Sequence, residues 1–388
     1  MHKLLPPEER ARIAQQFPEL KQKSYLNAAS LGPWPKASRE AIMEMIAEWS
    51  RLSDPTPRVF DYWRETKKEL GQMINADPDQ VGFAYNTSHG LSLAAAGIDF
   101  RKGDEIILSD VEFPANTYPW TNLRAKGVEV KFIRSTDRHF DIDIFEKAIT
   151  KKTKLFSVSY IQFFNGYRND IQKLGEICKE RNIFYIVDGI QGMGNVPIDV
   201  QECHIDLLAS GAHKWLLSPV GCGFFYLNEN PKIEVKQGFA GWFGVDWKED
   251  WTNLIRHDLK PRKSVERLSL SAIPYLQMYA MRNSVKLINS IGVDRIYEHN
   301  LSLLDKLIDY LETSKYYKMA SSTEIQHRSS IFSFTCPDPK GLYKFLVNKK
   351  IIPSLREGLI RISADFYNHP EQIDFLCQAL DEYSRSAE

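Results

Sequence analysis

The chain is poor in cysteine, with only Cys178, Cys203, Cys222, Cys336 and Cys377 among its 388 residues. The number is odd, and no two stand at the short spacing of a metal or redox pair. Neither a disulfide framework nor a zinc ribbon is indicated, and a reducing cytoplasm is the expected compartment. Net charge is also lacking, because 50 Lys+Arg balance 50 Asp+Glu. That leaves no positive surplus for gripping nucleic-acid phosphates and no polybasic patch for an anionic membrane. No stretch approaches the roughly 20 consecutive apolar residues that span a bilayer, and residues 1–10 lack the apolar core of a signal peptide. The nine histidines form no HExxH, and no GxGxxG follows the early strands, which argues against a zinc hydrolase and a nicotinamide dehydrogenase. There is no internal repeat and no low-complexity tract.

What is present is the texture of a soluble enzyme, 43% hydrophobic and 26% charged. The length exceeds the roughly 250–300 residues at which single cores stop growing, so two domains are expected. Short apolar runs at 105–109, 129–133, 154–159, 184–187, 207–209 and 223–227 read as strands. Amphipathic stretches such as 143–149 and 171–181 lie between them. This alternation predicts an α/β fold with parallel pairing and right-handed crossovers. From Ala272 the pattern changes to one long helical stretch reaching about Thr313. A strand at 330–336, a helix at 341–348, a strand at 359–363 and a closing helix at 370–384 follow, as in a smaller α+β domain.

Ligands of open α/β sheets sit at the carboxyl ends of the strands. Three groups fall there. Asn86-Thr87-Ser88-His89-Gly90 follows the run at 81–85 and leads into a helix, where free N–H groups and the helix dipole favour an anion. Asp188 ends the run at 183–187, with Gln191 one turn on. Lys214 stands between His213 and Trp215, in apolar company that would lower its pKa and make it a nucleophile for a carbonyl. Each has an ordinary explanation alone: an N-cap, a turn aspartate, a snorkelling lysine. Together they are the fixtures pyridoxal phosphate needs, namely an anion seat, an acid for the ring nitrogen and a Schiff-base lysine.

With those residues in view, the sequence resembles the class V aminotransferase group of fold-type-I pyridoxal-phosphate enzymes. That group includes cysteine desulfurases, kynureninase and isopenicillin epimerase. The resemblance covers nearly the whole chain. It is carried by Tyr25-Leu26-Asn27-Ala28-Ala29 with Gly32-Pro33, Asn86-Thr87-Ser88-His89-Gly90, Val187-Asp188-Gly189-Ile190-Gln191, His213-Lys214-Trp215-Leu216, and Ile360-Arg361-Ile362-Ser363. It implies a large mostly parallel sheet domain over 26–270, a small α+β domain over 271–388, and an N-terminal segment 1–25 packing on the small one. It implies that Thr87, Ser88, Ser210 and His213 help hold the cofactor, that Asp188 meets the pyridine nitrogen and that Gln191 lies near the ring hydroxyl. By the same resemblance Phe113 stacks on the ring, Lys214 carries it, and Arg361, with Asn27, binds the substrate and its α-carboxylate. Arg356 is the rival clamp. Ser269 or Ser271 would reach the phosphate from a second subunit, which implies a homodimer with a shared active site.

The departures bear on the reaction. No cysteine stands in 351–360, where desulfurases carry their mobile one, so persulfide formation on the protein is disfavoured. Gly211 occupies the place of a desulfurase serine, with Ser210 shifted by one. The stretch 160–168 lacks the usual Asn, with Gln162 and Asn165 as alternatives. Phe113 replaces a desulfurase His and cannot carry a proton. The expected enzyme acts on a small amino acid through an external aldimine, first as an aminotransferase. A β- or C–S lyase without a catalytic cysteine, or an epimerase, is the alternative.

Overall fold

Seven strands form the central sheet: β1 Val81–Ala84, β2 Glu105–Ser109, β3 Glu129–Ile133, β4 Thr153–Ser159, β5 Phe184–Asp188, β6 Leu207–Gly211 and β7 Gly223–Leu227. Their spatial order is β1-β7-β6-β5-β4-β2-β3. The five strands β2 to β6 run parallel, and β7 is antiparallel to both β1 and β6. The computed structural model describes residues 2–51, 56–228, 233–248, 250, 252–258 and 260–387.

Apart from the edge strand β3, which is largely exposed, the strands are near-continuous apolar runs because the sheet is covered on both faces. Side chains alternate between two cores. Ile107, Phe156, Tyr185 and Leu208 enter one. Ile106, Leu155, Phe184 and Leu207 enter the other. This period of two is the strand geometry itself. The predicted runs agree with the observed strands to within one or two residues.

A second, antiparallel sheet comprises β8 Lys318–Met319, β9 Ile331–Thr335, β10 Ser354–Arg356 and β11 Leu359–Ser363, in the order β10-β11-β9-β8. Leu342, Leu346, Leu376 and Leu380, from helices Pro339–Asn348 and Pro370–Ala387, join its core. The single helix expected over 272–313 is two, Tyr275–Ile291 and Val293–Thr313. Gly292 separates them at φ +95°, a left-handed conformation that other residues adopt only with strain. Both helices keep their apolar period, which is why the break is silent in the pattern.

The N-terminal residues tie onto later parts of the chain. Ser24–Tyr25 pairs in parallel with Ile351–Ile352. The Leu5 N–H donates to His299 Nδ1 at 3.2 Å, and Phe17 packs its ring 5.1 Å from Tyr367. Among the described residues, no helix is long and apolar enough to cross a membrane.

Candidate active site

A cleft of ≈ 280 Å³ opens at the carboxyl ends of β1, β5 and β6, just below the roughly 300–1,000 Å³ usual for ligand pockets. The strand ends deliver its polar residues. After β1 the chain turns straight into the helix Thr87–Gly97, capped by Asn86, whose Oδ1 accepts the His89 N–H at 2.9 Å. The N–H groups of Thr87 and Ser88 have no intrahelical acceptor. Ser88 is exposed and lines the cleft, and Thr87 Oγ1 accepts the Gly211 N–H at 3.0 Å. An anion seat results, in which backbone donors and the positive end of the helix act together.

Asp188 is 2% exposed at the end of β5, and its Oδ1 accepts the Ile190 N–H at 3.0 Å. Burial pushes its pKa above the usual carboxylate range. The Ile190 N–H works against that, the charge of Glu112 adds to it, and Lys214 opposes it. Glu112 is anchored by the Ser159 N–H at 2.9 Å, Asn116 Nδ2 at 2.9 Å and Gln162 Nε2 at 3.3 Å. It therefore ties the loop bearing Phe113 to the end of β4.

Lys214 follows β6 in a turn that ends in Leu217 at φ +50°. Its backbone is braced by the N-terminal segment. The Gly32 N–H donates to the His213 carbonyl at 2.9 Å, and a Cβ on Gly32 would lie 2.0 Å from the Lys214 carbonyl oxygen. Only glycine fits there. The Lys214 ammonium stands 5.7 Å from the centre of the Phe113 ring, within cation–π reach. Burial lowers its pKa. The Asp188 charge resists this, and the nearby Arg361 and Arg356 reinforce it. Burial, with the Lys214 charge, also lowers His213, to about 4.

Arg361 projects from β11 into the cleft and is 2% exposed. Its Nε donates to Ser354 Oγ at 2.9 Å, its Nη2 to Ser30 Oγ at 2.7 Å and its Nη1 to the Phe163 carbonyl. These bonds fix the guanidinium plane and leave two N–H groups of its five. Gln191 is held at both ends, Nε2 donating to the Ala29 carbonyl at 3.2 Å and Oε1 accepting Trp215 Nε1 at 2.8 Å.

Thr87, Ser88, Phe113, Asp188, Gln191, His213, Lys214 and Arg361 thus share one cleft, and Arg356 joins them. Asn27, Ser210 and Ser269 do not line it. Asn27 Oδ1 is buried without a hydrogen-bond partner. The Ser210 hydroxyl turns back to the Gly211 carbonyl at 3.1 Å. The Ser269 hydroxyl donates to Glu266 Oε2 at 3.1 Å, and the Ser271 hydroxyl accepts Trp242 Nε1 at 3.1 Å. Gln162 and Asn165 also point elsewhere, to Glu112 and to the Arg138 carbonyl. Between them Phe163 faces the cleft, 5.2 Å from Phe113 at 74°. Sequence reasoning weighed its polar neighbours and missed it, as it missed Ser30. None of the five cysteines lines the cleft. Among the described residues there is no cluster of three His, Cys, Asp or Glu able to hold a metal.

The donor set fits pyridoxal phosphate: an anion seat, a buried carboxylate, an aromatic face and an amine of lowered basicity converge on one cleft. Comparison with known proteins agrees. The family model "Aminotransferase class-V" matches residues 36–376. A probable cysteine desulfurase of Methanothermobacter thermautotrophicus is 26% identical over 95% of this chain and 97% of its own. An uncharacterized aminotransferase, YcbU, of Bacillus subtilis is 26% identical over 95% of both chains. Among solved structures, the apo cysteine desulfurase of Thermococcus onnurineus superposes with a TM-score of 0.88 over 100% of both chains at 21% identity. The cystine C–S lyase C-DES, in complex with cysteine persulfide, superposes with a TM-score of 0.84 over 94% of this chain and 99% of its own, also at 21% identity. The chain belongs to the class V aminotransferase family and is a pyridoxal-phosphate-dependent enzyme with the fold-type-I architecture.

Proposed function

We propose that the enzyme is a transaminase of α-amino acids. The observation that carries this reading is that the cleft holds one amine of lowered basicity, while its other group titrating near neutrality, Asp188, raised to about 7, is the one assigned to the ring nitrogen. Lys214 has a lowered pKa and lines the cleft beside Phe113, whose ring can neither give nor take a proton. His213, lowered to about 4, stays neutral. A single base that lifts a proton from one atom and sets it down on another is what transamination requires.

In this reading Thr87, Ser88 and the helix N-terminus would hold the phosphate, Asp188 would keep the ring nitrogen protonated, and Gln191 and Phe113 would hold the ring. Bound there, pyridoxal phosphate supplies an electron-withdrawing ring that stabilises negative charge at the substrate α-carbon. Arg361 offers its two remaining N–H groups to the α-carboxylate in a fork suited to it. That contact orients the Cα–H bond toward Lys214 Nζ, which takes the proton. Where Lys214 returns it decides the product: away from Cα for transamination, back to Cα for epimerisation.

We also propose a large domain over 26–270 and a small one over 271–388, paired in a homodimer. Met43, Ile46 and Trp49 are exposed on the helix Lys36–Ser50, and Leu31 and Trp34 are exposed in the segment just before it, large apolar side chains of the kind that gather at an interface. Ser269 or Ser271 of the partner subunit would then reach the phosphate seat.

The second reading is a C–S lyase. It draws on the same cleft, because a thiolate leaves without help from a protein acid, and among the described residues no cysteine lines the cleft to carry a persulfide. Titration of the loaded enzyme with L-amino acids separates the two. Lasting loss of the visible band, restored by a keto acid, marks the transaminase. A band that recovers unaided while pyruvate, ammonia or sulfide accumulates would replace it with the lyase.

A further inference from the structure

We propose that Arg356 makes this a site for amino acids with a second anionic group, such as a side-chain carboxylate, Arg361 taking the α-carboxylate and Arg356 the distal charge. The inference rests on the cleft being an amino-acid site.

The geometry begins with a hairpin. Strands β10 and β11 are joined by Glu357-Gly358 alone, at φ +50° and +78°, the two-residue primed turn that matches strand twist. Its pairing sets Arg356 opposite Leu359 and Ser354 opposite Arg361. Opposed residues share a face, and so do residues two apart. Arg356 and Arg361 therefore stand on one face as diagonal neighbours, roughly 7–8 Å apart. Both line the same cleft.

The two guanidiniums are in opposite states. Arg361 is buried and committed to Ser354, Phe163 and Ser30. Arg356 is exposed, and among the described residues its guanidinium donates only to the carbonyl of its neighbour Leu355, at 3.2 Å. Among the described residues it has no carboxylate partner, not even Glu357 beside it. A short turn thus holds an unpaired fork toward a cleft that already contains another arginine and a lysine. The Arg356 charge works against protonation of both. An arriving anion relieves that repulsion. The phosphate has its seat at the helix Thr87–Gly97 and the α-carboxylate has Arg361, so the anion left for Arg356 is on the substrate side chain. A bidentate carboxylate, sulfinate or sulfonate suits its planar donors.

The test pairs acidic amino acids with their amides, aspartate with asparagine and glutamate with glutamine. It uses the pyridoxal-phosphate-loaded wild type, Arg356→Gln and Arg356→Lys. The readouts are kcat/KM and the substrate dependence of the visible spectrum. The wild type is expected to favour one acidic member over its amide by roughly 10- to 100-fold, the range of a charge-assisted hydrogen bond. Arg356→Gln brings that ratio near one, and Arg356→Lys restores part of it. Glutarate, which cannot react, is expected to raise the melting temperature of the loaded wild type more than that of Arg356→Gln. Equal treatment of acid and amide by the wild type, or a preference that survives Arg356→Gln, overturns the proposal. A wild type whose spectrum answers to no amino acid overturns instead the reading of the cleft on which it rests.

Discussion

Lys67 and Lys214 both carry their ammonium away from bulk water, and the fold treats them in opposite ways. Lys67 lies on the helix Thr56–Ile74, 6% exposed, with its Nζ 3.0 Å from Glu266 Oε1. Trp63 Nε1 donates to the same oxygen at 3.2 Å, and Ser269 satisfies the other. Every charge there has a partner. Lys214 lies on a turn at the cleft, and among the described residues no carboxylate forms an ion pair with it. It keeps an aromatic ring on one side and two arginines nearby. The paired lysine holds its helix to the segment Val265–Leu268. The unpaired one is kept less basic, which raises the fraction of free amine able to attack a carbonyl. In the proposed reading the same residue type serves structure or chemistry according to whether a carboxylate is paired with it.

The sharpest way to break this contrast is to delete the reactive amine. Lys214→Ala is expected to abolish the visible band of the loaded enzyme and to lower turnover by roughly 10²–10⁴-fold, the range of general acid–base catalysis. Lys67→Met is expected to keep turnover per folded molecule. A retained band in Lys214→Ala would remove that lysine from its role. The second test removes a carboxylate from each lysine. Glu266→Gln leaves Lys67 only its looser pair with Asp79, 3.7 Å away, and is expected to destabilise the protein by about 2 kcal/mol, the range of a lost hydrogen bond to a charged group. Asp188→Asn breaks no such pair and should leave the melting temperature of the cofactor-free protein equal or higher. Equal losses in the two would mean that Lys214 is ion-paired after all.

Much of this was legible in the chain, and what was not had a physical reason. Strands β2, β4, β5 and β6 are mostly apolar because both sheet faces are covered there, so their positions could be read directly. That Asp188, Lys214 and the turn after β1 meet in one cleft could be read because they follow strand ends on the same carboxyl edge of the sheet. The break at Gly292 was hidden, since the helices on either side keep one apolar period. The strand Ser354–Arg356 is too short to show alternation. The bracing of Arg361 depends on Ser30 and Phe163, which lie 331 and 198 residues away, and no local pattern encodes such contacts. Ser269 drew attention for its segment, yet its hydroxyl is held by Glu266 three residues before it.

The smallest expected effect bears most directly on why Lys214 is costly to keep. Its folded-state pKa is depressed, so the unfolded chain binds its proton more tightly. The resulting penalty is complete below the folded pKa and disappears as pH rises into the usual lysine range near 10.4. Lys214→Met removes the charge and fills a similar volume. The cofactor-free variant is expected to be more stable than the wild type by roughly 1 kcal/mol near neutrality, the low end for replacing a shielded charge. That advantage should shrink steadily as pH is raised, because the wild-type lysine is then neutral in both states. Urea melts of the two proteins across this range measure the difference. A gap that stays constant with pH would show that packing, not charge, separates them. A variant less stable than the wild type at neutral pH would show that Lys214 is stabilised where it stands, and the contrast with Lys67 would fail.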